Sequence, residues 1–247
     1  MNQRRNEILH ELGLTPIWKK KQGTIADGTC VTEPSSTDST ASNNLPAERT
    51  QRILNMNWSL LKSEVEHCHA CILSKTRSHT VFGIGDEEAD WMVIGEGPGA
   101  REDEIGEPFV GQAGKLLDSM LAAIQLKRGS NVYITNIVKC RPPNNRNPEF
   151  NEAEQCRPYL ERQIALIKPK LIIALGKVAA QNLLVTNDSI ANLRGRLHSY
   201  LGTPLIVTYH PAYLLRSLMD KSKAWEDLCF AKATMESLTT SSVSSID

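Results

Sequence analysis

Four cysteines are the first residues in this chain that can do chemistry together. Cys68 and Cys71 form a C-x2-C pair, Cys140 follows an apolar β-branched segment, and Cys156 stands sixteen residues beyond it. A C-x2-C pair on a helix or tight turn aims two thiolates at one centre. Four thiolates suit either tetrahedral zinc or a cubane iron–sulfur cluster, and spacing alone does not separate the two. The bland alternative is four reduced core cysteines. His67 and His69 flank the first cysteine and read as surface residues, because four thiolates already complete a site. Cys30 lies in a polar stretch and reads as free and exposed. Cys229 reads as a small apolar core residue of the last helix.

A second set of residues falls just after apolar strands. Gly95-Glu96-Gly97-Pro98-Gly99 lets backbone approach a ligand and offers N–H groups to an oxyanion or a water, although a plain tight turn is the simpler reading. It lacks the spacing of a phosphate loop or a dinucleotide fingerprint. Glu102, Asp103 and Glu104 follow; such a run is ordinarily a solvated face. Phe109, between Pro108 and a Val-Gly step, is either core or a ring for stacking on a planar base. Asn136 ends a strand, where it caps a turn or pairs with an imide edge through one donor and one acceptor. Lys139, Arg141 and Arg146 surround Pro142-Pro143-Asn144-Asn145, a stiff basic loop suited to phosphates. His210 stands before Pro211, and Arg216 follows within reach of a phosphate.

The elements that must position these groups alternate. Trp91 to Gly95, Val132 to Val138, Leu171 to Leu175 and Pro204 to Tyr209 read as strands. Lys115 to Leu126, Glu152 to Ile167, Gly176 to Leu184 and Ala224 to Ser237 read as helices. The run at Leu171 is apolar without alternation, as in a strand covered on both faces. The pattern predicts a three-layer α/β/α domain with a mostly parallel central sheet, and ligands in such sheets sit at the carboxyl ends of strands. Residues 1–21 read as a basic peptide with a helix from Arg4 to Leu12, residues 22–48 as a disordered linker, residues 49–238 as the folded domain, and residues 239–247 as a flexible tail.

The chain has 247 residues, 40% of them apolar and 23% charged, with a formal net charge of zero. Bulk charge therefore gives no support to nucleic-acid binding, so any such field must be local. No apolar run approaches the roughly 18 residues of a membrane span, and the N-terminus is too polar for a secretory signal. A cytoplasmic protein is expected, in which disulfides are not.

The segments GEGPGAREDEIGEPFVGQAGKLL, YITNIVKCRPPNNRNP and YHPAYLLR, with the four cysteines in register, resemble the bacterial iron–sulfur, family 4 uracil-DNA glycosylases over residues 50–238. The resemblance implies a uracil-glycosylase fold, a [4Fe-4S] cluster on Cys68, Cys71, Cys140 and Cys156, and hydrolysis of the N-glycosidic bond of a flipped uracil with no lyase step, the opening of base excision repair. It implies that Phe109 stacks on uracil, Asn136 reads its polar edge, His210 donates to O2, and Glu96 with Gly97 borders the sugar and places water, with Glu102 a second candidate carboxylate. The net charge of such a cluster with four thiolates is negative, and Lys139, Arg141 and Arg157 are expected to screen it from phosphates. Arg4-Arg5, Leu9, Leu12-Gly13-Leu14 and Trp18 are similar to the N-terminal peptide of the clamp-loader psi subunit, which implies docking on replication proteins. A monomer acting on single- or double-stranded DNA is expected. The rival readings are a non-catalytic DNA-binding module, a glycosylase for other deaminated bases, and a redox protein using Cys68 and Cys71.

Overall fold

A computed structural model describes residues 45–243 of the chain. Its centre is a six-stranded sheet built from β1 (Ile84–Gly85), β2 (Trp91–Gly95), β3 (Val132–Asn136), β4 (Leu171–Leu175), β5 (Leu197–Tyr200) and β6 (Thr203–Thr208). The spatial order is β1-β3-β2-β4-β6-β5. The middle four strands are parallel, while β1 and β5 close the two edges antiparallel to their neighbours. Every residue of β2, β3 and β4 is buried, so these strands are covered on both faces.

The two faces carry separate cores. Met92, Ile94, Ile172 and Val207 point to one side, where Leu61, Tyr159, Leu160 and Ala180 meet them. Val93, Ile134, Ile173 and Ile206 point to the other, against Leu117, Leu121, Leu228 and Ala231. The helices of the first layer are α1 (Leu45–Leu54), α2 (Trp58–Glu66), α5 (Phe150–Ile167), α6 (Gly176–Leu184) and α7 (Ile190–Leu193). The second layer holds α4 (Gln112–Ala123), the short α8 (Pro211–Leu214) and α9 (Lys221–Val243). The short helix α3 (Ala100–Ile105) follows β2 and stops at Gly106, whose φ of 82° is the left-handed conformation of a helix C-terminus. The three-layer α/β/α architecture with a mostly parallel sheet is the one the alternation predicts.

Several boundaries differ from the sequence reading, each for a local reason. Helix α1 begins at Leu45, inside the stretch read as linker, because Ile53 is fully buried and Pro46 in the first turn needs no N–H partner. Helix α9 runs through Val243, past the expected end at Ser237, because the Thr-Thr-Ser-Ser run that follows holds no Gly or Pro to stop it; the hydroxyls of Thr239 and Thr240 bond back to the carbonyls of Met235 and Glu236. Cys229 is exposed rather than core, since the buried stripe of α9 passes through Ala224, Leu228, Ala231 and Met235 and leaves it one position off. The readings made for residues 1–44, Cys30 and the basic peptide included, lie outside the described residues. None of the described helices is long and apolar enough to cross a membrane.

Candidate active site

The parallel sheet brings the carboxyl ends of β2, β3, β4 and β6 to one edge, and a cleft of about 580 Å3 opens there. Gly95 and Asn136 are in register across β2 and β3. Glu96, Gly97, Glu102, Phe109, Asn136, Arg146, His210 and Arg216 all line the cleft. Eight of the residues singled out from sequence, contributed by the three segments that follow β2, β3 and β6, are thereby brought to one place.

Asn136 is 1% exposed, and its side-chain oxygen Oδ1 is buried with no hydrogen-bond partner. A buried acceptor left unpaired costs about 1–3 kcal/mol, so the site stores an unmet demand for an N–H donor. Phe109 stands beside it: a Cβ added at Gly95 would meet both Asn136 Oδ1 and the Phe109 ring. Phe109 has a φ of 55°, the left-handed region that bulky residues rarely enter. The His210 ring lies 5.6 Å from the Phe109 ring, centroid to centroid, tilted by 32°.

His210 caps α8, and its Nδ1 accepts a hydrogen bond from the Ala212 backbone N–H at 3.1 Å. An accepting Nδ1 puts the proton of the neutral ring on Nε2. Burial, with help from the Arg216 charge and against the Glu102 charge, lowers the His210 pKa to about 4. The ring is thus a neutral donor near pH 7. Gly176, with a φ of 86°, sits so close that a Cβ there would come within 2.7 Å of His210 Cβ.

The two carboxylates differ in commitment. Glu102 Oε1 accepts from the backbone N–H groups of both Val110 and Gly111 at 3.0 Å, so it braces the Phe109 turn. Glu96 has no ion-pair partner among the described residues, and burial raises its pKa above the ordinary carboxylate value. The acid run that follows the glycine turn is no single solvated face. Asp103 is 4% exposed and accepts from Ser78 N–H at 2.9 Å, and only Glu104 faces solvent beside Arg101.

The basic residues also divide. Arg216 is exposed at the cleft. Arg146 lines the cleft, but its guanidinium is engaged by Glu152 at 2.6 and 2.8 Å and by Glu149 at 3.3 Å. Arg141 is not among the cleft-lining residues; its Nε donates to Asn145 Oδ1 at 2.7 Å. Lys139, read from sequence as part of a phosphate-gripping loop, is 1% exposed instead. Its Nζ donates to Thr135 Oγ1 at 2.5 Å, the Asn136 carbonyl at 2.9 Å and Gln163 Oε1 at 2.7 Å, so no phosphate can reach it. Burial lowers its pKa to about 7. Lys177, which the sequence reading missed, lines the cleft from the exposed first turn of α6.

Cys68, Cys71, Cys140 and Cys156 line one pocket between α2, the Ile72–Lys75 turn and α5, with no disulfide among them. Three sulfurs accept hydrogen bonds: Cys140 from Arg77 Nη1 at 3.1 Å, Cys156 from Lys139 N–H at 3.3 Å, and Cys68 from Ala70 N–H at 3.5 Å. Burial raises the thiol pKa of Cys71, Cys140 and Cys156, the last to about 12. Among the described residues, no group of three His, Cys, Asp or Glu side chains is arranged to hold a single metal ion. His67 and His69 are exposed. The cations at this pocket are Arg77 and Lys139. Arg141 and Arg157, expected to screen it, are absent from its lining, and Arg157 instead pairs with Glu154. No sequence spacing flagged Arg77, whose contact with Cys140 spans 63 residues.

Residues 82–229 match the family described as the uracil DNA glycosylase superfamily. The chain is 40% identical over 181 residues to a type-4 uracil-DNA glycosylase of Pyrobaculum aerophilum, covering 70% of this chain and 92% of that protein. It is 45% identical over 160 residues to the type-4 enzyme of Archaeoglobus fulgidus, covering 62% of this chain and 80% of the relative. For the type-4 enzyme of Thermotoga maritima the identity is 41% over 160 residues, or 64% of this chain and 83% of the relative. The match is high, spans most of each relative and includes every strand that builds the cleft: the chain belongs to the uracil-DNA glycosylase superfamily, alongside its type-4 members.

Proposed function

We propose that this chain excises uracil from DNA by hydrolysing the bond between the base and its deoxyribose, with the cleft at the carboxyl edge of the sheet as the active site. The observation that carries the reading is the buried, unpaired Oδ1 of Asn136 beside the Phe109 ring. An imide edge offers one N–H and one C=O side by side, and a primary amide answers both. A duplex hides that edge and the glycosidic bond, so the nucleotide must leave the stack, which costs a few kcal/mol and least at a mismatch.

In the cleft, Phe109 lies against the base and Asn136 pairs with its N3–H and O4. As the C1′–N1 bond breaks, its electron pair moves onto the uracil ring and charge gathers at O2. The neutral His210 then donates Nε2–H to O2. A donor that keeps its proton stabilises that charge without first surrendering anything. The sugar becomes cationic, as in other glycoside cleavage. Glu96 and Gly97 border it: the Glu96 carboxylate stabilises the positive charge and takes a proton from the water that bonds to C1′. Glu96 is assigned this part over Glu102 because Glu102 Oε1 is held by two backbone N–H groups. Arg216 and Lys177, at the mouth, meet phosphates. No step needs an imine, and the enzyme is monofunctional.

The four cysteines fit a [4Fe-4S] cluster in number, in sharing one pocket and in the N–H groups aimed at three of their sulfurs. Bound there, the cluster would supply a structural cross-link with fixed negative charge. Arg77 and Lys139 offset that charge, and the link between Cys140 and Cys156 anchors the Pro142–Asn147 loop beside the cleft. Iron and sulfide analysis of anaerobically purified protein tests this, with zinc the outcome that would displace it. DNA affinity of a folded Cys71→Ser protein tests the anchoring. Residues 1–21 are proposed to dock on replication proteins, tested by pull-down with that peptide.

The activity test is an oligonucleotide holding a single U, with parallel strands holding T, C or hypoxanthine, followed by alkaline cleavage of abasic sites. Product from the U strand alone, lost in His210→Ala and Asn136→Ala, supports the reading. Bound DNA with no product from any strand would replace it with a non-catalytic module. Borohydride trapping of a covalent protein–DNA adduct at Lys177 would overturn the monofunctional assignment.

A further inference from the structure

The turn that carries Phe109 is held on both sides by side chains that no part of the chemistry above uses. Arg128 lies between α4 and β3. Its Nη1 donates to the Pro108 carbonyl and its Nη2 to the Phe109 carbonyl, each at 2.9 Å. Glu102 takes the next two N–H groups, those of Val110 and of Gly111. Four backbone groups between Pro108 and Gly111, two acceptors and then two donors, are thereby fixed by one guanidinium and one carboxylate. Asp118 orients the guanidinium by accepting from Nε at 2.9 Å. Gly114 completes the clamp, since a Cβ there would fall 1.7 Å from the Phe109 carbonyl oxygen. The residue so held has a φ of 55°, a conformation that a bulky side chain keeps only when its surroundings over-determine it.

We infer that Arg128 is a positioning residue for excision: it holds Phe109 in its left-handed conformation and so presets the ring against which the base stacks. The inference rests on the stacking role proposed for Phe109. The planar fork is what the role requires, because only a guanidinium presents two parallel N–H donors to neighbouring carbonyls. A lysine keeps the charge, but its ammonium is a point donor on a flexible stem and lacks the rigid fork that spans two neighbouring carbonyls while Asp118 holds its third side. Arg128 itself touches neither base nor sugar in this account. Its effect must therefore pass through Phe109, and that makes it separable from a general loss of stability.

The experiment is a double-mutant cycle on the full chain with Arg128→Ala, Phe109→Ala and the double variant, and Arg128→Lys as a milder member should Arg128→Ala fold poorly. Two quantities are read: the inhibition constant of free uracil, which reports the base pocket without DNA, and the single-turnover excision rate. Arg128→Ala is expected to weaken uracil inhibition and slow excision roughly tenfold each, as loss of two hydrogen bonds to the turn would do, with affinity for uracil-free duplex unmoved. In the Phe109→Ala background the same substitution is expected to have almost no further effect, because residues acting through one group are not additive. Arg128→Lys should fall between. Additive losses in the double variant, or unchanged uracil inhibition in folded Arg128→Ala protein, would overturn the inference while leaving the stacking role of Phe109 in place. Unchanged uracil inhibition in Phe109→Ala itself would overturn the stacking role and the inference with it.

Discussion

Gly95→Ala is the smallest change that should disable the cleft, and its size can be worked from the structure. Gly95 is the last residue of β2, and its φ is not in the left-handed region, so alanine fits its backbone without strain. The methyl group is the whole perturbation. It would lie 2.4 Å from Asn136 Oδ1, 2.6 Å from Phe109 Cζ and 2.9 Å from Phe109 Cε2, where ordinary contact begins at 3.4 Å. Asn136 Oδ1 and the Phe109 ring must both retreat by about 1 Å. Asn136 cannot do so freely, because it is 1% exposed and Lys139 Nζ grips its carbonyl at 2.9 Å. A misplacement of about 1 Å at a reacting site can cost on the order of a hundredfold in rate. Single-turnover excision from an oligonucleotide with one U should fall by about that factor, free uracil should inhibit more weakly, and binding of uracil-free DNA should persist. Thermal melting separates this from unfolding, since the substitution is at the end of a strand. Full excision rate and unchanged uracil inhibition in Gly95→Ala would refute the placement of the base between Phe109 and Asn136.

Four further outcomes follow from the same geometry. His210, with its pKa lowered to about 4, is competent when neutral, so its contribution is present above that pH and lost below it; Glu96, raised above 4.5, is competent when ionised and fails first as pH falls. The pH–rate profile should therefore show an acid limb set by Glu96 and no limb near the ordinary histidine value, and a limb near pH 6.5 that vanishes in His210→Gln would contradict this. Asn136→Asp replaces the amide donor by a second acceptor, so uracil excision should drop about a hundredfold and cytosine, which offers a donor at N4, should become a detectable substrate; the U and C strands run side by side decide it. Arg216→Ala should flatten the dependence of log affinity on log salt by roughly 0.9 for one lost phosphate contact. Arg146→Ala should instead lower thermal stability, because it strands the buried Glu152 carboxylate; a full unit of lost salt slope in Arg146→Ala would show that its pairing yields to phosphate.

The parallel strands were legible because burial on both faces leaves continuous apolar runs such as Leu171 to Leu175. The edge strands were not. β1 is two residues long, too short for any period, and β5 has only half its side chains shielded. The cleft residues were legible for a topological reason: in a parallel sheet every strand delivers its carboxyl end to one edge, so motifs that follow strands converge in space although they are scattered in sequence. That argument placed Glu96, Phe109, Asn136 and His210 together without saying which carboxylate works.

What stayed hidden are contacts between a side chain and distant backbone. Arg128 reaches carbonyls 19 and 20 residues away, and no residue type in the turn advertises an acceptor, since every peptide carries one. The consecutive acids were hidden for the opposite reason. Three carboxylates in a row suggest one solvated face, yet successive residues of a helix point about 100° apart. In α3 that turn sends Glu102 to the Phe109 loop, Asp103 to the Ser78 backbone and Glu104 to solvent. The chemistry of a carboxylate was readable from its type, and its employment only from the helix that rotates it. Glu96 sits outside that helix, on a turn with no ion-pair partner among the described residues, and that freedom is why the proposed activation of water is assigned to it rather than to Glu102.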